Sequence, residues 1–143
     1  MRQLILLRHA HAESATSGQD DLERPLSETG RAEARAAGDW LREHGLQPDR
    51  VLSSSAARTR ETLAALGDLG GAEVHEDASI YDASPGTLVA LADANRDAER
   101  LLLVGHNPGL EQLAALMHSG MTGDYRGMPP GGIAVLTLPA DVN

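Results

Sequence analysis

The chain contains no cysteine and no phenylalanine, and all 12 of its Lys-or-Arg positions are arginine. The missing thiol excludes cysteine nucleophiles, disulfides and thiolate metal sites. The missing lysine excludes a Schiff base, a lysine general base and the lysine of a phosphate-binding P-loop. No Asp-x-Asp stretch follows a candidate strand, so an aspartyl-phosphate mechanism lacks its usual equipment. Aromatics make up only 2% of the residues, so the core must be built from Ala, Leu, Val, Ile and Met. No run approaches the ~20 apolar residues of a membrane span. No basic-then-apolar signal pattern opens the chain, so the cytoplasm is the expected compartment. The formal net charge of −9 argues against nucleic acid or an anionic membrane as partner. An anionic substrate must instead be caught by a local arginine cluster.

A length of 143 residues suits a single domain, residues 1–143, with an ordinary core. Strand and helix patterns alternate along it. A strand is expected over Gln3 to Arg8, then a long polar loop from Ala10 to Pro25, too long for a mere connector. Ser27 is a candidate N-cap for a helix whose face reads Ala37, Trp40, Leu41 and His44, stopped by Gly45. A strand follows over Arg50 to Ser53, then a helix with Thr59, Thr62, Leu63 and Leu66 on one face. Ala72 to His75 reads as a third strand and Pro85 to Asn95 as a short helix. The strand Arg100 to Val104 precedes a helix with Leu110, Leu113, Ala114 and Met117 on one face. A Gly/Pro-rich loop, Gly120 to Gly132, leads to a last strand, Ile133 to Leu138. This alternation predicts an α/β domain with a mostly parallel sheet.

Chemistry-bearing groups stand at strand ends. Arg8-His9 follows Leu4-Ile5-Leu6-Leu7, Ser53-Ser54-Ser55 with Arg58 follows the second strand, and His106 follows Leu101-Leu102-Leu103-Val104-Gly105. Parallel neighbours would bring these ends to the sheet edge where open α/β sheets bind ligands. Arginine suits phosphate because its planar fork stays charged and donates bidentately. A neutral imidazole with one ring nitrogen free is a competent nucleophile toward phosphorus. A second imidazole can stabilise the oxygens of the transferring group. Taken singly, each group has a plainer reading: His9 as a structural histidine, Arg58 as a helix-face cation, His106 as a turn residue ahead of Pro108.

The segments Leu6-Leu7-Arg8-His9-Ala10, Ser54-Ser55-Ala56-Ala57-Arg58-Thr59-Arg60-Glu61-Thr62 and Val104-Gly105-His106-Asn107-Pro108 together resemble the histidine phosphatase superfamily. The stretch Asp21-Leu22-Glu23-Arg24-Pro25-Leu26-Ser27-Glu28-Thr29-Gly30 and the short length resemble its SixA branch of small phosphohistidine phosphatases. The resemblance implies a phosphoglycerate mutase-like fold, a three-layer α/β/α sandwich with a mostly parallel central sheet and no large inserted cap subdomain. It implies His9 as the phosphorylated nucleophile, Arg8 and Arg58 as phosphate ligands, and His106 completing the pocket. Arg24 and Asp21, in the segment that lines the site, are further candidates for binding the phosphate. No metal or organic cofactor is implied.

Two features depart from the family. Ala10 stands where glycine is commoner, and no glutamate general acid follows the third strand; Glu13, Asp21 and Asp82 are the remaining candidates for a proton donor. An alkoxide needs such a donor, whereas an imidazole, with a reference pKa of about 6.5, leaves nearly unaided. The expected substrate is therefore a phosphohistidine on a partner protein such as a histidine phosphotransfer domain. The alternatives are a small phosphorylated substrate or a non-catalytic phosphate-binding module. A rival reading makes His9, His11, His106 and His118 a metal site, against which stand the two arginines and the lack of a suitably spaced carboxylate. His11 is otherwise expected at the rim.

Overall fold

The computed structural model describes residues 2–119, 128 and 130–138. Five strands form one sheet: β1 (Arg2–Arg8), β2 (Arg50–Ser53), β3 (Glu73–Glu76), β4 (Arg100–Gly105) and β5 (Ile133–Leu138). Their order is β3-β2-β4-β1-β5, and every pairing is parallel except β1 with β5. Among the described residues four helices connect them: α1 (Glu28–Glu43), α2 (Ala57–Ala65), α3 (Pro85–Ala94) and α4 (Gly109–Ser119).

The continuous apolar runs of β1 and β4 reflect burial on both faces, as a parallel sheet between helical layers demands. Leu4, Leu6, Leu52, Leu101 and Leu103 point into one core with Leu88 of α3 and Leu110 and Leu113 of α4. Ile5, Leu7, Val51, Leu102 and Val104 point into the other with Ala37 and Leu41 of α1 and Leu66 after α2. The alternation of these residues along each strand makes the α/β/α sandwich, and no cap subdomain is inserted between the described elements.

Chain direction places the site. From β1 the chain runs toward β2 and β3, while from β4 it runs across β1 to β5. The adjacent pair β1 and β4 is thus the switch point of the sheet, and a crevice opens beyond its carboxyl ends. In register, Arg8 faces Gly105 there.

Ser27 caps α1 as expected, its Oγ accepting from the Gly30 N–H at 3.0 Å. The buried stripe of that helix differs from the expected face. Gly30, Ala34, Ala37, Gly38 and Leu41 are buried, whereas Trp40 and His44 lie outside and stack on each other with ring centroids 4.1 Å apart. Close packing of α1 on α2 explains the small residues: a Cβ on Gly38 would stand 1.9 Å from the Leu66 carbonyl oxygen. β3 lies one residue later than expected and is wholly exposed, an edge strand bearing charge. Two single 3₁₀ turns, at 21–23 and 78–80, were not expected from periodicity. Leu110 and Leu113 of α4 are buried as expected. The surroundings of Met117, and the loop Gly120 to Gly132 except residues 128 and 130–132, lie outside the described residues. Among the described residues no helix is long and apolar enough to cross a membrane.

Candidate active site

Four polar side chains meet at the β1/β4 crevice, each delivered by a secondary-structure end. Arg8 closes β1, His9 follows it, His106 follows β4, and Arg58 sits in the first turn of α2.

His9 is fixed by its backbone and its ring. Its N–H donates to the Gly105 carbonyl at 3.0 Å, tying it to the end of β4. Its Nδ1 lies 2.8 Å from the Ala10 carbonyl oxygen, so Nδ1 carries the proton and Nε2 keeps its lone pair. Burial, reinforced by the positive charges of Arg58, Arg8 and Arg24, pushes the imidazole pKa down to about 4, against the opposing pull of the Ala10 carbonyl. The ring is therefore neutral at physiological pH. Ala10 is fully buried, and its N–H donates to Thr62 Oγ1 at 3.0 Å, whose hydroxyl donates to the Arg58 carbonyl at 2.7 Å. Thr62 thereby links the two site-bearing segments.

The His106 ring lies 5.2 Å from that of His9, tilted by 55°. Its Nε2 is 2.8 Å from Ser54 Oγ. Burial first, then the neighbouring His9 and Arg58, lower its pKa to about 3. Arg8 donates through Nη1 to the Met128 carbonyl at 2.8 Å. Among the described side chains, the two buried polar atoms without a protein partner are Arg8 Nε and His106 Nδ1. Buried polar atoms ordinarily find partners. These two atoms belong to residues beside His9, Arg8 in sequence and His106 in space, its ring 5.2 Å away.

Arg58 is only 6% exposed. It donates through Nη1 to the Asp21 carbonyl at 2.8 Å and through Nη2 to Asp21 Oδ2 at 3.0 Å. Asp21 Oδ1 receives Arg24 Nη1 at 2.9 Å, and Oδ2 also receives the Tyr81 hydroxyl. The Tyr81 hydrogen bond, then Arg24 and Arg58, hold the Asp21 carboxyl far below the usual carboxylate range. Asp21 is thus a fixed anion. It cannot supply a proton, and its charge is directed at arginines rather than toward a phosphate. Arg24 is anchored at its other edge, with Nε donating to the Glu13 carbonyl at 2.9 Å. The Glu13 side chain is exposed, as is Asp82.

His11 is engaged by Ser27: its Nδ1 lies 2.7 Å from Ser27 Oγ, and its carbonyl receives the Ser27 N–H at 3.0 Å. Gly30 presses against it, where a Cβ would stand 2.0 Å from the His11 oxygen. These contacts give a packing reason for the serine and glycine of the 21–30 segment. His118 lies where side chains are outside the described residues. Among the described residues no group of three or more potential ligands converges on a metal position.

Sequence reasoning missed three contributors. Tyr81 sets its ring edge-on to His106 at 5.3 Å and lies 5.6 Å from the Arg58 guanidinium. Asn107 Nδ2 donates to the Met128 carbonyl at 2.9 Å and to Glu111 Oε2 at 3.1 Å. Glu111 Oε2 also receives the Met128 N–H at 3.2 Å, so Glu111 and Asn107 grip the residue whose carbonyl anchors Arg8. Only the i, i+4 spacing of Asn107 and Glu111 was visible in the sequence, and it gave no hint of Met128.

Comparison with known proteins identifies relatives of the chain. The family model of the histidine phosphatase superfamily (branch 1) matches residues 4–102. A solved structure of the Agrobacterium tumefaciens protein described as the phosphohistidine phosphatase SixA is similar, with TM-score 0.87 and 34% identity, covering 97% of this chain and 92% of that one. An uncharacterized chloroplastic protein of Arabidopsis thaliana is 36% identical over 128 residues, 81% of this chain; the chain spans 59% of that protein's length. A glucosyl-3-phosphoglycerate phosphatase of Mycolicibacterium vanbaalenii is 32% identical over 100 residues, 68% of this chain and 44% of that protein. By the family match, the near-complete structural superposition and the ordered Arg8-His9, Arg58 and His106 motifs, the chain belongs to the histidine phosphatase superfamily.

Proposed function

We propose that the protein is a phosphohistidine phosphatase that works through a covalent intermediate on His9, without metal or organic cofactor. The observation that carries this reading is the His9 ring: its Nδ1 proton is committed to the Ala10 carbonyl, leaving a neutral Nε2 beside two arginines and His106. His9 Nε2 attacks phosphorus, forming a P–N bond while the P–N bond to the donor histidine breaks. The bonding pair returns to the donor imidazole, which leaves neutral when its other nitrogen already bears a proton. Water then attacks phosphorus, the P–Nε2 bond breaks, and inorganic phosphate departs. Arg8 and Arg58 hold the phosphoryl oxygens, and their fixed charge compensates the charge that spreads over those oxygens. His106 Nδ1 completes the pocket, and Arg24 with Asp21 sets Arg58.

The choice of a nitrogen-bound phosphoryl group follows from the acid question. Asp21 is a locked anion, and the Glu13 and Asp82 side chains are exposed. No carboxylic acid poised to protonate an alkoxide is seen among the described residues, whereas an imidazole needs little help to leave. A protein-borne phosphohistidine, such as that of a histidine phosphotransfer domain, is the expected substrate. A small phosphoester is the competing reading, consistent with the glucosyl-3-phosphoglycerate in the name of the Mycolicibacterium relative.

The test compares turnover of a phosphohistidine-bearing protein with that of an aryl phosphate, for the wild type and His9→Ala. The expected result is strong preference for the phosphoprotein, complete loss in His9→Ala, and an acid-labile, alkali-stable label on His9 after quenching. Preference for the small ester sinks the substrate assignment. Full activity in His9→Ala sinks the mechanism, and binding without turnover makes the protein a phosphate-binding module.

A further inference from the structure

We propose that Tyr81 is a positioning residue for oxyanion binding, acting through Asp21 to hold the Arg58 guanidinium in its phosphoryl-binding orientation. The inference rests on Arg58 being a phosphoryl ligand, as proposed above.

Tyr81 joins three groups of the site. Its hydroxyl donates to Asp21 Oδ2, the same oxygen that receives Arg58 Nη2 at 3.0 Å. Its ring lies 5.6 Å from the Arg58 guanidinium and meets His106 edge-on at 5.3 Å. Arg58 itself is almost fully buried, so its orientation depends on protein groups rather than on water. Asp21 belongs to the 3₁₀ turn 21–23 of a long connecting segment, and a single carboxylate there has several rotamers open to it. The phenol supplies the partner that removes this freedom.

The backbone beneath Tyr81 is rigidly set. Asp77 N–H donates to the Ser53 carbonyl at 2.8 Å, docking the turn on the end of β2. Asp77 Oδ1 caps the turn, accepting from Ser79 N–H at 2.9 Å. Ile80 is buried, and its Cγ2 lies 3.0 Å from where a Cβ on Gly105 would be. Gly105 therefore lets the turn close onto the end of β4, two strands away from β3. A side chain so mounted is a fixed wall against which Asp21 and Arg58 are aligned.

The phenol proton is engaged by Asp21, and that hydrogen bond, with burial, raises the Tyr81 pKa. The residue is accordingly a donor to Asp21 and not an acid for the leaving group.

The test measures inorganic phosphate binding calorimetrically in wild type, Arg58→Ala, Tyr81→Phe, Asp21→Asn and the Tyr81→Phe/Asp21→Asn double variant, with KM and kcat alongside. Arg58→Ala should weaken phosphate by about tenfold or more, the loss expected for a charge-assisted hydrogen bond. Tyr81→Phe, which keeps the ring, should weaken it about threefold to tenfold, in the range of coupling between residues of one network. The same change made in the Asp21→Asn background should cost under about twofold, because the partner through which the phenol acts is already altered. KM should rise more than kcat falls. Equal losses in both backgrounds, or no loss in Tyr81→Phe where Arg58→Ala weakens binding, overturns the role of Tyr81 alone. No loss in Arg58→Ala overturns the reading of the phosphoryl site as well.

Discussion

Acid should unfold this protein through its own active site. His9 and His106 are folded as neutral rings with pKa values lowered to about 4 and about 3, chiefly by burial. In the unfolded chain both return to about 6.5. Between these values the unfolded state binds more protons than the folded one, so stability falls as pH falls. Little is lost above pH 6.5, and the loss ends only near the folded values. At pH 5 the linkage amounts to about 2 kcal/mol for each ring relative to pH 7. The rings are 5.2 Å apart and would repel once charged, so protonation of the folded pair gives little relief. The sum, about 4 kcal/mol, is a large fraction of the stability of a domain of this size. It corresponds to a fall in Tm on the order of 10 °C. Asp21 acts in a lower window, since its depressed carboxyl loses its stabilising share only as pH falls below the usual carboxylate range. The assay is Tm against pH from 7.5 to 4.5 in phosphate-free buffer, for the wild type and a His9→Asn/His106→Asn variant. The wild type should lose markedly more stability than the variant between pH 6.5 and 5. Parallel curves would refute the burial of two neutral imidazoles.

Two further outcomes follow from single contacts and a third from the acid–base character of the site. Gly38→Ala should lower stability by about 3 kcal/mol, because its Cβ would stand 1.9 Å from the Leu66 carbonyl; urea titration showing a loss under about 1 kcal/mol would mean that α1 and α2 separate without penalty. Glu111→Ala should raise KM several-fold by releasing Met128 and with it the carbonyl that holds Arg8, while Glu111→Gln, which keeps an acceptor, should be milder; steady-state kinetics with both variants equal to wild type would discount the grip. Across a series of phosphorylated leaving groups, kcat/KM should fall steeply as the leaving-group pKa rises, and a flat dependence would reveal a proton donor in the site.

The sheet was legible because its central strands are buried on both faces, which writes Leu4 to Leu7 and Leu101 to Val104 as unbroken apolar runs. Arg8, His9, Arg58 and His106 were legible for a related reason: each stands at or just beyond the end of a strand or in a first helical turn, positions that topology alone brings to one edge. The stripe of α1 was misread because its buried positions are glycine and alanine, which carry little hydrophobic signal, while Trp40 and His44 satisfy each other outside the core. Tyr81 escaped because its partner Asp21 is 60 residues away and both lie at irregular turns without periodicity. The Asn107–Glu111 grip escaped because its target is a backbone amide and carbonyl, identical in every residue type. Asp21 was expected to bind phosphate, whereas its carboxylate receives Arg24 and Arg58, a pairing that sequence spacing does not display.

The titratable groups around His9 share a property that bears on the proposed substrate. His9 and His106 are held neutral, Asp21 is held anionic, and Tyr81 is held as a phenol. Each is locked by burial or by a charged partner, so none of them exchanges a proton readily near neutral pH. On the proposed reading such a site offers a nucleophile and fixed positive charge, and these groups do not help the departing group with a proton. General acid catalysis works best when the donor's pKa lies near the working pH, and none of His9, His106, Asp21 and Tyr81 is such a group. The chemistry it suits is transfer from a leaving group that brings its own proton, and an imidazole singly protonated on its free nitrogen is one. The locking also keeps Arg58 from pairing with water and His9 from idling as an imidazolium. The rigidity that makes the nucleophile ready is thus the same rigidity that narrows the proposed substrate class to phosphorus bound to nitrogen.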